Sequence, residues 1–401
     1  MYGNATNDDY LDNRDLEFIE SIVNGDVEWD RSTNPYADAN FDGKVDSKDI
    51  DFVKRMINRE EMKIFFVDGG DVVQEINYPL KHIGVIGNTQ LIRVQALGIL
   101  DKVVGISGTR LSFDDVLHST LDKLPRISKS TASIDIPMYS NVAQSVPGGI
   151  DAVLVAGNSW SKSKASLDEA GITTVRMDST NVPSEFRTYL TFGYLVQAEE
   201  RSHQIVDYMD DFFKNLDSTL NKIPESEKKT AVLISGVATG ISGGAMCSPS
   251  SLYFDRLIYA GAICNITDDD LAVQSGIGDG DVWHLSEKFQ SDYLIQFCSG
   301  FGYQSTLDDF VEFWKVVPTN PAYSLYEMDA YPDGYACISR DTISIIQIAY
   351  CAEFFYPDYF EKGFGDRIHQ EWIDLFFDDL DGYVVTDHIT FFTIDDVKDC
   401  L

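Results

Sequence analysis

The sequence predicts an α/β protein: two lobes of alternating strands and helices joined by one long helix, preceded by a small all-α module. Three observations predict it. An oxygen-rich loop pattern recurs at an offset of 34 residues within the first 60. Short Val- and Ile-rich runs alternate with helical lengths on both sides of the chain's middle. Between them, Pro183 to Ile223 keeps one helical period without interruption.

At 401 residues, 44% of them hydrophobic and 12% aromatic, the chain can bury two or three cores. The 65 acidic residues against 31 basic ones give a formal net charge of -34. That charge repels phosphate backbones and anionic lipid surfaces, so nucleic acid is not expected as a partner. No apolar run reaches the length that spans a bilayer. No positively charged apolar leader opens the sequence, which a mature start would equally explain. Cys247, Cys264, Cys298, Cys337, Cys351 and Cys400 are widely spaced with no CxxC pair. Buried free thiols are expected for most, and a bridge such as Cys247 to Cys264 stays open.

Residues 1–60 form the predicted module. In DANFDGKVDSKD, Asp38, Asn40, Asp42, Asp46 and Asp49 stand at positions 1, 3, 5, 9 and 12 of a loop, with Gly43 at position 6. This is the oxygen-ligand spacing of an EF-hand-like calcium loop, in which short side chains converge on a hard cation and glycine permits the sharp turn. Shifting by 34 residues reproduces it in Asn4, Thr6, Asp8, Asp12 and Asp15, with Asp9 where the second copy has glycine. Leu16, Phe18, Ile19, Ile22 and Val23 map onto Ile50, Phe52, Val53, Met56 and Ile57, so each loop leads a helix and the unit is an internal repeat. Two calcium sites are expected, the 38–49 loop the stronger. Acidic helix caps without metal are the alternative.

A loop ending in Asp, one helix per loop and two copies in about 60 residues resemble a type I dockerin. The resemblance implies a calcium-dependent module outside the cell or on its surface. It also implies a cohesin partner, read through Asn13 and Arg14 in the first copy and Ser47 and Lys48 in the second.

Residues 63–182 carry KIFFVD (63–68), HIGVIG (82–87), KVVGIS (102–107), AVLVAG (152–157) and TTVRMD (173–178), expected as a largely parallel sheet covered on both faces. Ligands of such sheets lie beyond the strands' carboxyl ends, which singles out Asn88, Thr89, Ser107, Asn158, Ser159 and Trp160. No GxGxxG cradle opens a helix and no GKS or GKT occurs, so nucleotide binding is not supported.

Residues 183–223 are expected as one connecting helix. Asn181, Pro183 and Ser184 are start signals, Pro224 is a stop, and the period predicts an apolar face. Two shorter helices with a break near Ala198 to Ser202 are the alternative. The pattern of the first lobe then repeats over 230–356: strand TAVLISG (230–236), helix 250–262, strand YLIQFCS (293–299) and helix 344–355. Met246, Trp283, Phe301, Tyr303, Tyr326 and Tyr331 offer apolar and stacking surface for a bulky ligand. Residues 357–401 are an extension with a helix over 369–380 and a short strand, to which the sequence assigns no function.

The order of strands around PLKHIGVIGNTQLIRVQALGILDKVVGIS and DAVLVAGNSW is similar to the iron-siderophore and cobalamin class of ABC-transporter substrate-binding proteins, over roughly residues 63–356. That resemblance implies two Rossmann-like lobes joined by one long helix, with a metal chelate or tetrapyrrole (siderophore, haem, cobalamin or a related corrinoid) captured between the lobes. Asn88, Thr89, Asn158, Trp160, Met246, Trp283 and Tyr303 are the ligand-binding candidates. Only Arg256, Arg340 and Arg367 occur in the second lobe, which favours a neutral or weakly charged chelate over an anionic one. Members dock on an ABC permease through carboxylates. Glu287 answers for the second lobe, whereas NVAQSVPGGIDAVLVAG has no acid where the first lobe should carry one. The six histidines form no HxxxH or HExxH pair, so no enzyme is expected. The chain is expected to be monomeric. A cell-surface scaffold or adhesion protein that keeps the fold without transport is the alternative.

Overall fold

The computed structural model describes residues 1–69, 71–107, 123–129, 134–155, 164–176, 182–237, 245–246, 252–264, 291–299, 334–339, 343–378, 380–393 and 395–396. The chain forms two compact units, Met1–Thr109 with Leu124–Asp207, and Arg110–Lys123 with Tyr208–Leu401. Among the described residues no helix is long and apolar enough to cross a membrane.

The first unit opens with two matched helices, α1 (Asn13–Val23) and α2 (Ser47–Ile57). Asp12 and Asp46 are their N-caps, and Asp15 and Asp49 return the bond in a capping box, satisfying donors that a helix start leaves open. Both helices end in a Schellman turn. Its left-handed residue is Gly25 (φ 83) in the first copy and Arg59 (φ 57) in the second. Ala5, Ile19, Ala37, Ala39 and Val53 form a buried core between them.

An antiparallel hairpin follows, β1 (Met62–Val67) and β2 (Val73–Tyr78). This corrects the expectation that KIFFVD joins the parallel sheet. The cause is local: Asp68 N–H donates to the Val72 carbonyl and its carboxylate accepts the Val72 N–H. Such a tight return allows only antiparallel pairing, since a parallel strand needs a long crossover. The hairpin packs on the helical module. Tyr2 N–H donates to the Phe65 carbonyl at 3.1 Å, and the Phe65 ring lies against Phe41 and Phe52.

Strands β3 (Ile83–Val85), β4 (Val103–Ile106), β5 (Ala152–Val155) and β6 (Thr174–Arg176) make a parallel sheet in the order β4-β3-β5-β6. Helices α3 (Asn88–Ala96), α4 (Ile136–Ser145) and α5 (Lys164–Glu169) accompany them. Ile86, Ile127, Tyr139, Val142, Val153 and Leu167 fill one face. Arg93 of α3 meets Glu185 of the following helix, α6 (Val182–Leu195), at 3.0 Å with both side chains 2% exposed. Removing either partner would strand a buried charge.

The run 183–223 is two helices, not the single one expected. After α6 the chain turns at residues 196–198, and α7 (Glu199–Leu220) begins. Ala198 N–H reaches back to the Gly193 carbonyl at 2.7 Å and Gln197 N–H to that of Tyr194 at 3.0 Å, with Gln197 left-handed at φ 58. These are the two bonds of a Schellman stop. A Cβ on Gly193 would collide with Ser202, so glycine lets the first turn of α7 close over the end of α6. The apolar period survives the corner because each helix buries one side, Tyr189, Phe192 and Leu195 on α6 and Ile205, Met209, Phe212 and Leu216 on α7. Residues of α7 up to Asp207 belong to the first unit and those from Tyr208 to the second.

The second unit holds β7 (Ala231–Val237), β8 (Ala245–Met246), β9 (Tyr293–Ser299), β10 (Tyr335–Ser339) and β11 (Phe391–Thr393), ordered β11-β10-β9-β7-β8. The three middle strands are parallel and the two edges antiparallel. Helices α8 (Leu252–Tyr259), α9 (Ser344–Phe355) and α10 (Phe364–Phe376) accompany the sheet. The C-terminal stretch supplies α10 and β11 and is built into this unit. Gly365 approaches the Tyr350 ring so closely that a Cβ would clash. Glu353 accepts the N–H groups of Gly363 and Gly365 at 2.6 and 2.9 Å, placing an anion at the start of α10 where the helix dipole favours it. Burial, and secondarily His388, depresses the pKa of His369 on α10 to about 3, so it is a neutral core imidazole.

Candidate functional site

In the second loop every side chain at a ligand position is held by a backbone N–H. Asp38 accepts from Asp42 and Gly43, Asn40 from Asp42, Asp42 from Lys44, and Asp46 from Lys48, at 2.8–3.1 Å. Asp49 accepts from Asn40 on one oxygen and Asp46 on the other. Gly43 takes φ 91, which turns the chain between positions 5 and 7. Asp38 and Asp49 are buried, and burial raises both carboxyls above the usual range.

The first loop keeps part of this. Asp15 accepts from the Thr6 backbone and hydroxyl and from Asp12 N–H, and burial raises its carboxyl too. Asn4 donates to the Asp8 carbonyl at 2.6 Å, and its own Oδ1 is buried without a partner. Asp9, at the glycine position, is not left-handed. Arg14 pairs with Asp8 at 2.8 Å and forks onto Asp12 at 2.9–3.1 Å, holding the Asp12 carboxyl below its ordinary pKa.

Both loops fit a calcium ion. Neither Asp15 nor Asp49 has a basic partner among the described residues, and the orphaned Asn4 oxygen occupies ligand position 1. Among the described residues no three His, Cys, Asp or Glu side chains converge as a metal cluster by themselves. The amide, hydroxyl and backbone oxygens therefore have to complete the set, as calcium's six to eight oxygen ligands require.

At the carboxyl ends of the first-unit strands, Gly87 (φ 100) is the N-cap of α3, and its N–H donates to the buried Ser107 hydroxyl at 3.2 Å. Asn88 and Thr89 form the first turn of α3 directly beyond β3. Met246 ends β8. Asn158, Ser159, Trp160, Trp283, Glu287, Phe301, Tyr303, Tyr326 and Tyr331 lie outside the described residues. A separate groove of about 1160 Å³ beside α9, α10 and β11 includes Tyr293, the first residue of β9, and so borders the amino end of that strand.

The dockerin type I domain family matches residues 2–58. Residues 2–58 are a dockerin type I domain. No curated protein sequence matches the chain. Over most of the chain the fold is that of TroA-like periplasmic binding proteins. The TroA-like protein FepB from Veillonella parvula is 15% identical, with a TM-score of 0.55 over 82% of this chain and 99% of that one. CeuE from Helicobacter pylori, solved as a Ni-His complex, is 14% identical, with a TM-score of 0.56 over 79% and 96%. MolA from Haemophilus influenzae, solved with molybdate, is 11% identical, with a TM-score of 0.54 over 78% and 97%.

The dockerin domain presents Asn13, Arg14, Ser47 and Lys48 to solvent. The domain also meets the helical corner of the first unit at contacts that sequence reasoning missed. Arg59 pairs with Glu199, the Tyr194 hydroxyl donates to the Met56 carbonyl at 2.9 Å, and His203 Nε2 lies 2.9 Å from the Asp9 carbonyl. The Tyr10 ring stacks on His203 at 4.2 Å. A signal was available, because Arg59 stands 34 residues after Gly25 and replaces the cap glycine of the first copy.

Proposed function

We infer that this chain is a solute-capture protein, not an enzyme, whose binding-protein body takes a small metal-containing cargo outside the cell or at its surface for ABC-type uptake. The reading rests on one observation above all: the likeness to FepB runs over 99% of that protein's length, so the body carries a complete binding-protein fold. The Ni-His and molybdate complexes of CeuE and MolA support cargo that contains a metal. Within that class, a siderophore chelate, haem, cobalamin or related corrinoid suits the surplus of acid over base. Anionic cargo held by an arginine cluster is less favoured, since Arg256 is buried against Gln347 and Arg367 is engaged by Glu361 and Glu371. Asn88 and Thr89 at the start of α3, with Asn158, Trp160, Met246, Trp283 and Tyr303, are the proposed contacts.

The dockerin domain attaches this monomeric body to a cohesin through Asn13, Arg14, Ser47 and Lys48. Calcium supplies the central positive charge of each loop. Asn4, Thr6, Asp8, Asp12 and Asp15 would hold one ion, and Asp38, Asn40, Asp42, Asp46 and Asp49 the other. Isothermal titration with a ferric siderophore, haem, cobalamin and molybdate tests the cargo. Micromolar or tighter binding of at least one is expected, and heat-silent titrations with all four would overturn the capture reading. Thermal melts with calcium and with a chelator test the module, which should unfold at lower temperature when calcium is withdrawn.

A further inference from the structure

The dockerin repeat is broken at two glycines, and both breaks face one helix. Position 6 is Gly43 in the second copy and Asp9 in the first; the C-terminal cap is Gly25 in the first copy and Arg59 in the second. The Asp9 carbonyl meets His203 of α7, and Arg59 pairs with Glu199 of α7. A carbonyl only accepts, so His203 donates from Nε2. The residue after Asp9, Tyr10, lies flat on the same imidazole, 10° from parallel. Tyr10 is position 7, whose backbone carbonyl is a ligand in loops of this kind. One short stretch of backbone therefore serves the ion on one side and α7 on the other.

We propose that His203 is a positioning residue for calcium in the first loop, and that ion binding there and seating of the dockerin domain on the α6–α7 corner strengthen each other. The inference rests on the reading of that loop as a calcium site. The physical reason is shared order. Closing the loop on calcium fixes the backbone of Asp9 and Tyr10, so the His203 contact forms with less ordering still to be done; seating on His203 first gives the loop the same advantage. By linkage the two effects are equal in size. The first loop needs such help, because its position 1 is a neutral amide and Arg14 competes for Asp8 and Asp12. The seated domain leaves a cleft of about 440 Å³ lined by Asn4, Asp8 and Tyr10.

The test uses the full chain, with calcium titrated calorimetrically and hydrogen exchange followed in calcium and in chelator. Calcium should slow exchange in peptides covering Gly193–His203. His203→Ala should weaken the lower-affinity site about five-fold, leave the higher-affinity site unchanged and abolish the calcium effect on the corner. His203→Gln, which keeps a donor at a similar reach, should restore part of both. Arg59→Gly, whose new residue accepts the left-handed cap, should speed exchange at the corner without changing the affinity of the second loop. If both loops bind calcium while corner exchange ignores it, or if His203→Ala leaves both affinities intact, the coupling is wrong and the calcium reading stands. If the first loop takes no calcium in any variant, the reading beneath it fails.

Discussion

Loops 4–15 and 38–49 descend from one repeated unit, yet their acids are used differently. In the second loop four carboxylates and one amide are oriented by the loop's own backbone, and Lys48 stands 3.7 Å from Asp42. The first loop has three carboxylates at ligand positions, and Arg14 grips two of them. Charge count and rigidity set calcium affinity, so the second copy is expected to be the stronger metal site. Both copies also touch the α6–α7 corner, the first through Asp9 and Tyr10 and the second through Met56 and Arg59.

The sharpest way to break this ranking is at the last ligand position. Asp49→Ala removes the buried carboxylate of the stronger loop. At calcium about 100-fold above its dissociation constant, the domain should lose ~2.7 kcal/mol of linked stability. Asp15→Ala should lose less, because the first loop binds more weakly at the outset. Calorimetric melts with and without calcium read both variants, and equal losses would erase the ranking. Next comes Gly43→Ala. No atom lies within 4 Å of the new Cβ, so the penalty is the left-handed backbone alone. That amounts to about 1–2 kcal/mol, or roughly ten-fold in second-loop affinity.

Arg14→Ala should act in the opposite direction. The arginine is 56% exposed and exposed ion pairs are weak, so freeing Asp8 and Asp12 should tighten the first loop only about two- to five-fold. An unchanged titration would mean that Arg14 does not compete with the ion. The smallest effect belongs to Asp9→Gly, which restores the repeat's glycine where the chain does not need it. First-loop affinity should move by less than about two-fold, and a larger rise would show that Asp9 bends the loop away from its preferred path.

Much of this was legible from local pattern. The ligand spacing located both loops, and the runs that became β3, β4, β5, β6, β7 and β9 read as buried strands because parallel strands are apolar on both faces. Helix α9 has the bounds expected, Ser344–Phe355. The hairpin was missed because β1 is as apolar as a parallel strand, while Gln74, Glu75 and Asn77 of β2 hide its alternation. The corner between α6 and α7 was legible only as the alternative break near Ala198 to Ser202, for a different reason. Its left-handed residue is glutamine where glycine would have signalled a stop, and the buried stripe continues on both sides of the turn. Of the candidate cargo residues, Asn88 and Thr89 stand at a strand's carboxyl end as the pattern required. The docking contacts at Glu199 and His203 join positions far apart in the chain, and only a residue-by-residue comparison of the two repeats hints at them.

The connection between the dockerin domain and the body is short. Helix α2 ends at Ile57 and β1 begins at Met62, so residues 58–61 are all that link them. Even as a free coil, four residues would sweep only about 10–12 Å, and Arg59 is already engaged. A partner gripping Asn13, Arg14, Ser47 or Lys48 therefore takes hold of a handle welded to the first lobe rather than a leash. Copies arrayed along a common support would all point the same way, and the local concentration of cargo sites would be set by the spacing of the anchors alone.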